Sequence, residues 1–479
     1  MQRKSTSGSG EKELAIAYTD KPVSGWGGLI SVFRFLDGLG VREVLALALP
    51  DGRTSPNQIP VVDMVLALFA TVLTGGRRSA HVERLRSDAV VQAILAAPRL
   101  PSAMTLTRYF GGFVRGQVEQ LVELLWSWML ERLPAAPLGA VLDLDSTVFE
   151  RYGQQEGSLK GHNPRKHGRP SHHPLLAFLA EAKLVLHAWL RSGNTGSARG
   201  VRAFLDEALA RLPQRYPLYA VRADAGFFEA AVLSDLEHRQ LPYAIAVRLT
   251  LPLKRRLAGL QTWQEFGPGL EVGELQYETY GWTQPRRIVV VRERLAERPQ
   301  ARGRQLLEVP GYMFHAVVTT LALPAPEVWR FYNHRAESEN RIKELKEDFG
   351  ADGFCLRSFH GTEAVFRLIC CLYNLFAEFK RDIVRDPTTR LLTLRHQLLV
   401  VGAILGANGR RRVLRLGLRG PWRTRFATLL TRIATTLRAT VTQFDFSPLQ
   451  QQLGPPRRWK PRGGYAPLRL TPALGLSST

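Results

Sequence analysis

The chain has 479 residues, 45% of them hydrophobic, and 65 Lys and Arg against 42 Asp and Glu give a formal net charge of +23. That apolar content excludes a disordered chain, and the length exceeds what one hydrophobic core spans, so about two or three domains are expected. So large a surplus of positive charge on a folded protein calls for a polyanionic partner, commonly DNA or RNA; a merely basic enzyme is the plainer alternative.

Cys355, Cys370 and Cys371 supply neither a disulfide framework nor a CxxC metal pair, which fits a reducing cytoplasm. The polar N-terminus (MQRKSTSGSGEKE) lacks the apolar core of a signal peptide. The run Val61–Leu73, interrupted by Asp63, is too short to span a bilayer. We therefore expect a soluble cytoplasmic protein with no membrane partner.

In chain order, residues 1–13 read as a flexible polar arm. Residues 14–135 read as a helical domain, with Val61, Val65, Leu68 and Val72 recurring three and four apart. Pro101–Ser102 is a helix start, and Arg108, Tyr109 and Arg115 beyond it are candidates to meet phosphate, which makes this a DNA-binding domain or an ordinary helical bundle. The period then changes. VLDLDST (141–147) is a strand, 180–194 is strand-like and reads as a hairpin, and 198–212 is an amphipathic helix. LYAVRAD (218–224) is a strand broken by Gly226, 227–240 a helix and 242–249 a buried strand. This order describes an α/β domain with a mixed sheet, spanning 136–251 and 311–385. A β-rich insertion (252–310) interrupts it; beyond come a strand at 311–321, a long helix to about Phe349, and an apolar helix at 363–383. Residues 386–479 form a basic C-terminal region ending in a Pro/Gly/Arg tail expected to be disordered.

The chemistry turns on where carboxylates sit in so basic a chain. Strand alternation places Asp143 and Asp145 on one face of 141–147, and Asp224 falls at the C-terminal end of its strand, where α/β sheets hold ligands. A lone Asp there is more often a turn or cap residue. On the helix after Pro326, Tyr332, Arg335, Glu339 and Lys346 are spaced +3, +4 and +7 and fall within about 60° of one another. Phe331, Ile342, Leu345 and Phe349 form an adjacent apolar stripe that would dock on the sheet. A solvated charged face is the usual meaning of such spacing. Here, though, a carboxylate shares its stripe with a phenol and two cations, which suits metal binding beside phosphate.

These residues carry a resemblance. The spacing Tyr332, Arg335, Glu339, Lys346 resembles the Y-(2)-R-(3)-E-(6)-K signature of insertion-sequence DDE transposases of the cut-and-paste type. LDLDST is similar to that family's first-aspartate strand and selects Asp145, followed by Ser146 and Thr147, over Asp143; RADAGF is similar to its second and selects Asp224. The resemblance runs from about Val141 to Phe349 and implies a ribonuclease H-like catalytic core, a multidomain α/β chain and a bacterial, nucleoid-associated protein.

The resemblance also implies that Asp145, Asp224 and Glu339 are catalytic and hold two Mg²⁺, with Mn²⁺ as substitute. Tyr332, Arg335 and Lys346 would bind DNA phosphates, Arg335 bidentately. The implied sequence is nicking at the terminal inverted repeats, a hairpin on the transposon end that is then reopened, and insertion into target DNA by a homodimer on DNA. No GxxxxGK[ST] motif is present, so ATP is not expected.

Trp263 and Trp282 are candidates to hold a flipped base, though packing aromatics are the commoner case. His162, His167, His172 and His173 match no zinc spacing and sit beside Arg165, Lys166 and Arg169, so the reading is a basic DNA-facing loop. The competing functions are a nuclease of the same fold without strand transfer, and a non-catalytic DNA-binding descendant of a transposase.

Overall fold

The computed structural model describes residues 16–440, apart from 134, 135, 137, 162, 164, 165, 280, 295–304, 307 and 308. The arm expected at 1–13, the tail beyond 440, and His162 and Arg165 lie outside the described residues.

The centre of the molecule is a ten-stranded mixed sheet among the described residues. Its first strands are β1 (Ala140–Ser146), β2 (Leu175–Leu179), β3 (Leu184–Trp189), β4 (Leu218–Ala223) and β5 (Tyr243–Ala246), lying side by side in the order β3-β2-β1-β4-β5. β1 is antiparallel to β2 and parallel to β4, and β4 is parallel to β5. The two parallel steps are made through the helices Val201–Arg211 and Ala230–His238, as parallel neighbours require a crossover. β2 reads LLAFL and is buried throughout, the continuous apolar run of a strand covered on both faces. That run is the first half of the hairpin. Sequence periodicity placed both halves within 180–194, but the chain turns at 180–183, where Lys183 takes a positive φ of 55°.

The β-rich segment continues the same sheet. Beyond β5 come β6 (Gln264–Gly267), β7 (Leu270–Tyr277), β8 (Arg286–Arg294) and β9 (Val309–Thr319); β9 pairs with β5, β8, β7 and β6 follow outward, and the tenth strand, Gln305–Leu306, pairs with β9, all antiparallel.

The outer strand β3 would leave backbone groups of Val185 unpaired at a sheet edge. Asn374 and Trp126 cover them. The Val185 N–H donates to Asn374 Oδ1 (2.8 Å), and the Val185 carbonyl accepts from Asn374 Nδ2 (2.8 Å) and Trp126 Nε1 (3.1 Å). These side chains come from the helices Phe359–Phe379 and Arg115–Leu130, which join the sheet to the N-terminal helices. No helix among the described residues is long and apolar enough to cross a membrane.

Residues after 386 pack back on the N-terminal helices. Arg395 is buried and donates from Nε to the Leu73 carbonyl (2.7 Å), and the helix Gly420–Thr440 lies against Leu29–Gly38.

The long helix expected after Pro326 is two helices, Ala325–Asn333 and Ala336–Glu347. At the junction, Arg335 N–H bonds to Tyr332 O (2.9 Å) and Ser338 N–H to Arg335 O (2.8 Å), a tighter i→i−3 turn. The apolar stripe is divided by this joint. Phe331 packs in a small core with Val289, Val317 and Val328, while Ile342, Leu345 and Phe349 join the main core.

Candidate active site

β1 and β4 run parallel, so the carboxylates at or just beyond their C-terminal ends emerge side by side: Asp145 near the end of β1, Asp224 one residue after β4. Asp145 is 6% exposed, and one of its oxygens accepts from the Ser146 N–H (2.7 Å). Asp224 caps the turn that follows it and accepts from the Gly226 N–H (2.8 Å). Ser197 ties the two ends together. Its hydroxyl lies 2.8 Å from that of Ser146, and a Cβ on Gly226 would come within 2.7 Å of Ser197 Oγ and 2.8 Å of Asp224 Oδ1. Glycine at 226 is therefore a requirement of close approach.

The jointed helix pair brings the remaining residues. Arg335, at the joint, is buried and reaches both acids: Nη2 lies 2.8 Å from Asp145 Oδ2, and Nη1 3.1 Å from Glu339 Oε1. Glu339 is mostly exposed at its outer end. Lys346 donates to Thr147 Oγ1 (3.2 Å) and the Val148 carbonyl (3.1 Å), on the segment that follows Asp145. Tyr332 packs on Trp329, with ring centroids 6.1 Å apart.

Burial pushes the Asp145 carboxyl up to about 7, outweighing the Arg335 ion pair, while the charges of Asp224 and Glu339 push the same way. Burial also raises the Tyr332 phenol; Arg335 opposes that shift, and the three carboxylates add to it. Asp145, Asp224, Glu339, Arg335 and Tyr332 thus share one electrostatic neighbourhood.

Carboxylate oxygens are the right donors for a hard divalent cation, and a cation would relieve the cost of burying Asp145 beside two other acids. The packing is not closed around one, however. Among the described residues no three acidic, His or Cys side chains converge on a common point, and Arg335 supplies the positive charge between Asp145 and Glu339.

Asp143 has a different environment. It is fully buried and takes a two-pronged ion pair from Arg222, 2.7 and 3.0 Å. Arg222 also donates to the Phe331 carbonyl (2.8 Å), and Arg341 lies 3.7 Å from Asp143. One arginine holds the first helix of the pair and the other sits on the second, so Asp143 anchors the joint. Sequence reasoning singled out neither Arg222 nor Arg341; an arginine inside a buried strand (LYAVRA) was the signal available.

Other candidates lie elsewhere. Tyr109 donates to the Pro50 carbonyl (3.1 Å) and packs among Phe110 and Phe113, so it is a core residue and not a phosphate contact. Arg115 pairs with Glu119 (2.6 Å) and Arg108 is exposed. The histidine loop divides. His167 is exposed, whereas His172 and His173 are buried; His172 accepts from Arg151 Nε (3.0 Å) and its Nε2 meets the Glu156 carbonyl (2.9 Å). This half of the expected DNA-facing loop is structural, because a strand at Pro170–His172 turns it inward. Trp263 and Trp282 are half-buried and packed: Trp263 against Phe314 under Arg292, Trp282 against Phe228 and Tyr277 under Arg286.

A family model described as "Transposase DDE domain group 1" matches residues 7–438. Among solved structures, the chain is similar to the cryo-EM structure of a piggyBac transposase synaptic complex with hairpin DNA: 10% identity, 91% of this chain and 87% of that chain covered, TM-score 0.44. No curated protein matches the sequence.

Proposed function

The chain belongs to the transposase DDE domain group 1 family and is a DDE transposase, and from that premise we propose that it cleaves the ends of its element and inserts the element into target DNA. Asp145, Asp224 and Glu339 are the catalytic carboxylates in this reading. They would hold two Mg²⁺, whose contribution would be activation of the attacking oxygen and stabilisation of the leaving one. The observation that carries the reading is the meeting of Asp145 and Asp224 at adjacent parallel strand ends, with Glu339 linked to Asp145 through Arg335. The strand order β3-β2-β1-β4-β5, with its first two steps antiparallel and its last two parallel, supports a ribonuclease H-like core.

The protein's own residues have separable tasks. Ser146 and Ser197 hold the Asp145 and Asp224 ends at a fixed separation. Burial keeps water from the Asp145 carboxyl, so it interacts strongly with any cation or phosphate that enters. Arg335, Lys346 and Tyr332 line the helix side, where phosphates of the transposon end would lie. Water hydrolyses one strand at the transposon end, and the freed 3′-OH attacks the opposite strand to close a hairpin on that end. Water reopens the hairpin, and the 3′-OH so regenerated attacks target DNA. The two transfer steps each exchange one phosphodiester for another, the two hydrolyses use water alone, and none needs ATP. Paired cutting of two terminal repeats calls for a homodimer on DNA. Tyr109, His172 and His173 take no part.

The test is cleavage of a labelled duplex carrying the element's terminal repeat, with Mg²⁺, by wild type, Asp145→Ala, Asp224→Ala and Glu339→Ala. Wild type nicks and then forms a hairpin; each variant binds without cutting. Cutting by Glu339→Ala at the wild-type rate would remove the proposed carboxylate set, and nicking without any joined product would leave a nuclease of the same fold.

A further inference from the structure

Between Asp386 and Asp445 the sequence has no acidic residue and eleven arginines. Three of these are used internally: Arg390 pairs with Asp348, Arg395 is buried against backbone carbonyls, and Arg432 donates to the Ile383 carbonyl (3.2 Å). Six of the rest, from Arg410 to Arg423, cluster on one feature. Ala403–Asn408 and Arg411–Leu416 form a β-hairpin in register, Ala403 opposite Leu416 and Asn408 opposite Arg411. Gly409 at the turn has φ +58° and Arg410 does not, the pattern of a tight two-residue turn that opens on glycine. The helix Gly420–Thr440 begins four residues after the hairpin.

Arg410, Arg411, Arg412, Arg415, Arg419 and Arg423 are all exposed, and none is in an ion pair or hydrogen bond among the described residues. Elsewhere the same chain pairs its arginines heavily, as at Arg222, Arg239, Arg286 and Arg287. An unneutralised run of guanidinium groups repels itself, so its positive charge is uncompensated without a polyanion. The mount is rigid. Val23 and Ser24 add a strand beside Ile404 and Ala403, Ser24 Oγ bonds to Asp88 (2.6 Å), and Leu405, Leu414 and Leu416 pack on the core. Only the tip and the outer face remain in solvent.

We propose that this hairpin and the start of the following helix form a DNA-gripping ribbon, separate from the carboxylate site, that binds the phosphates of duplex DNA without reading its sequence. The inference rests on the transposase reading for its choice of polyanion. A two-stranded ribbon is of a size that a DNA groove admits, and arginine without base-reading amides gives positioning rather than specificity. Each phosphate neutralised releases counterions, so the grip is steeply salt-dependent.

The test is anisotropy binding of the full-length protein, over a range of salt, to two labelled duplexes, one carrying the terminal repeat and one of unrelated sequence. The variant Arg410→Gln/Arg411→Gln/Arg412→Gln/Arg415→Gln is compared with a charge-matched control, Arg84→Gln/Arg86→Gln/Arg202→Gln/Arg330→Gln, with thermal melting of both to establish that they fold. The ribbon variant weakens binding to both duplexes by the same factor, on the order of tenfold or more at low salt, and its salt slope is shallower by about 3; the control stays near wild type. Unchanged binding by the ribbon variant, or an equal loss in the control, overturns the inference. A loss confined to the terminal-repeat duplex also overturns it, since the ribbon would then be reading sequence. Metal-dependent cleavage by wild type is scored separately, so failure of the catalytic reading and failure of the ribbon give different results.

Discussion

The guanidinium of Arg335 lies 2.8 Å from the Asp145 carboxylate and extends to Glu339 at 3.1 Å, so one buried cation joins two acids that the proposed chemistry requires to face metal. Sequence spacing put Arg335 on a phosphate-binding stripe; in the folded chain its first partners are carboxylates. Each charge makes the burial of the other tolerable, and neither partner is removed without consequence.

We predict that Arg335→Gln lowers metal-free stability by about 3 kcal/mol, because Asp145 loses its buried counter-ion. Mn²⁺ then binds more tightly, as it no longer competes with a guanidinium for Asp145. Thermal melting with and without Mn²⁺, together with titration calorimetry, measures both effects. A metal-free melting temperature equal to wild type, with unchanged Mn²⁺ affinity, contradicts the prediction.

Asp143 and Asp145 separate into different phenotypes. Asp143→Ala leaves Arg222 without its carboxylate and removes the buried acid beside Arg341, and costs about 3–5 kcal/mol in urea unfolding. Asp145→Ala keeps the fold at a smaller cost, because Arg335 retains Glu339, and loses cleavage. Should Asp143→Ala unfold at the wild-type midpoint, the anchoring role given to that residue is wrong.

Gly226→Ala forces a Cβ against Ser197 Oγ and Asp224 Oδ1. The expected stability loss is modest, about 1–3 kcal/mol. The expected fall in cleavage rate is on the order of a hundredfold, because Asp224 is displaced from its position beside Asp145. A variant that cuts at the wild-type rate rules out this positioning.

His172 and His187 give an acid limb to stability. Burial lowers both to about 4; Arg151 adds to the effect at His172, and at His187 the hydrogen bond to Glu207 opposes it. Because the folded-state values lie below the unfolded value near 6.5, the unfolded chain takes up protons first as pH falls. Stability is complete above pH ~6.5, falls down to pH ~4, and levels off below; each histidine contributes up to about 3 kcal/mol. Urea midpoints measured across this window in wild type and His172→Gln check it. The variant shows a shallower slope, and equal slopes would assign the acid sensitivity elsewhere.

Much of the α/β core is legible in the sequence because its signals are local. Strand alternation in VLDLDST, the short buried runs at β4 and β5, and the intervening amphipathic helices need only neighbouring residues to be read. The spacing of Tyr332, Arg335, Glu339 and Lys346 was likewise visible, and so was the charge surplus.

What depended on distant pairing was not legible. The hairpin partner of β3 lay earlier than periodicity placed it, since LLAFL, buried on both faces, carries no period to read. The joint at Arg335 breaks a helix whose sequence is continuous, because Phe331 and Ile342 pack in different cores and Arg222 holds the Phe331 carbonyl. The distinct environments of Asp143 and Asp145, two residues apart on one strand face, are set by arginines from β4 and the helix pair. Sequence by itself determined which residue types and local periods were available. Tertiary structure decided which charges meet, because ion pairs and burial are fixed by residues tens to hundreds of positions apart.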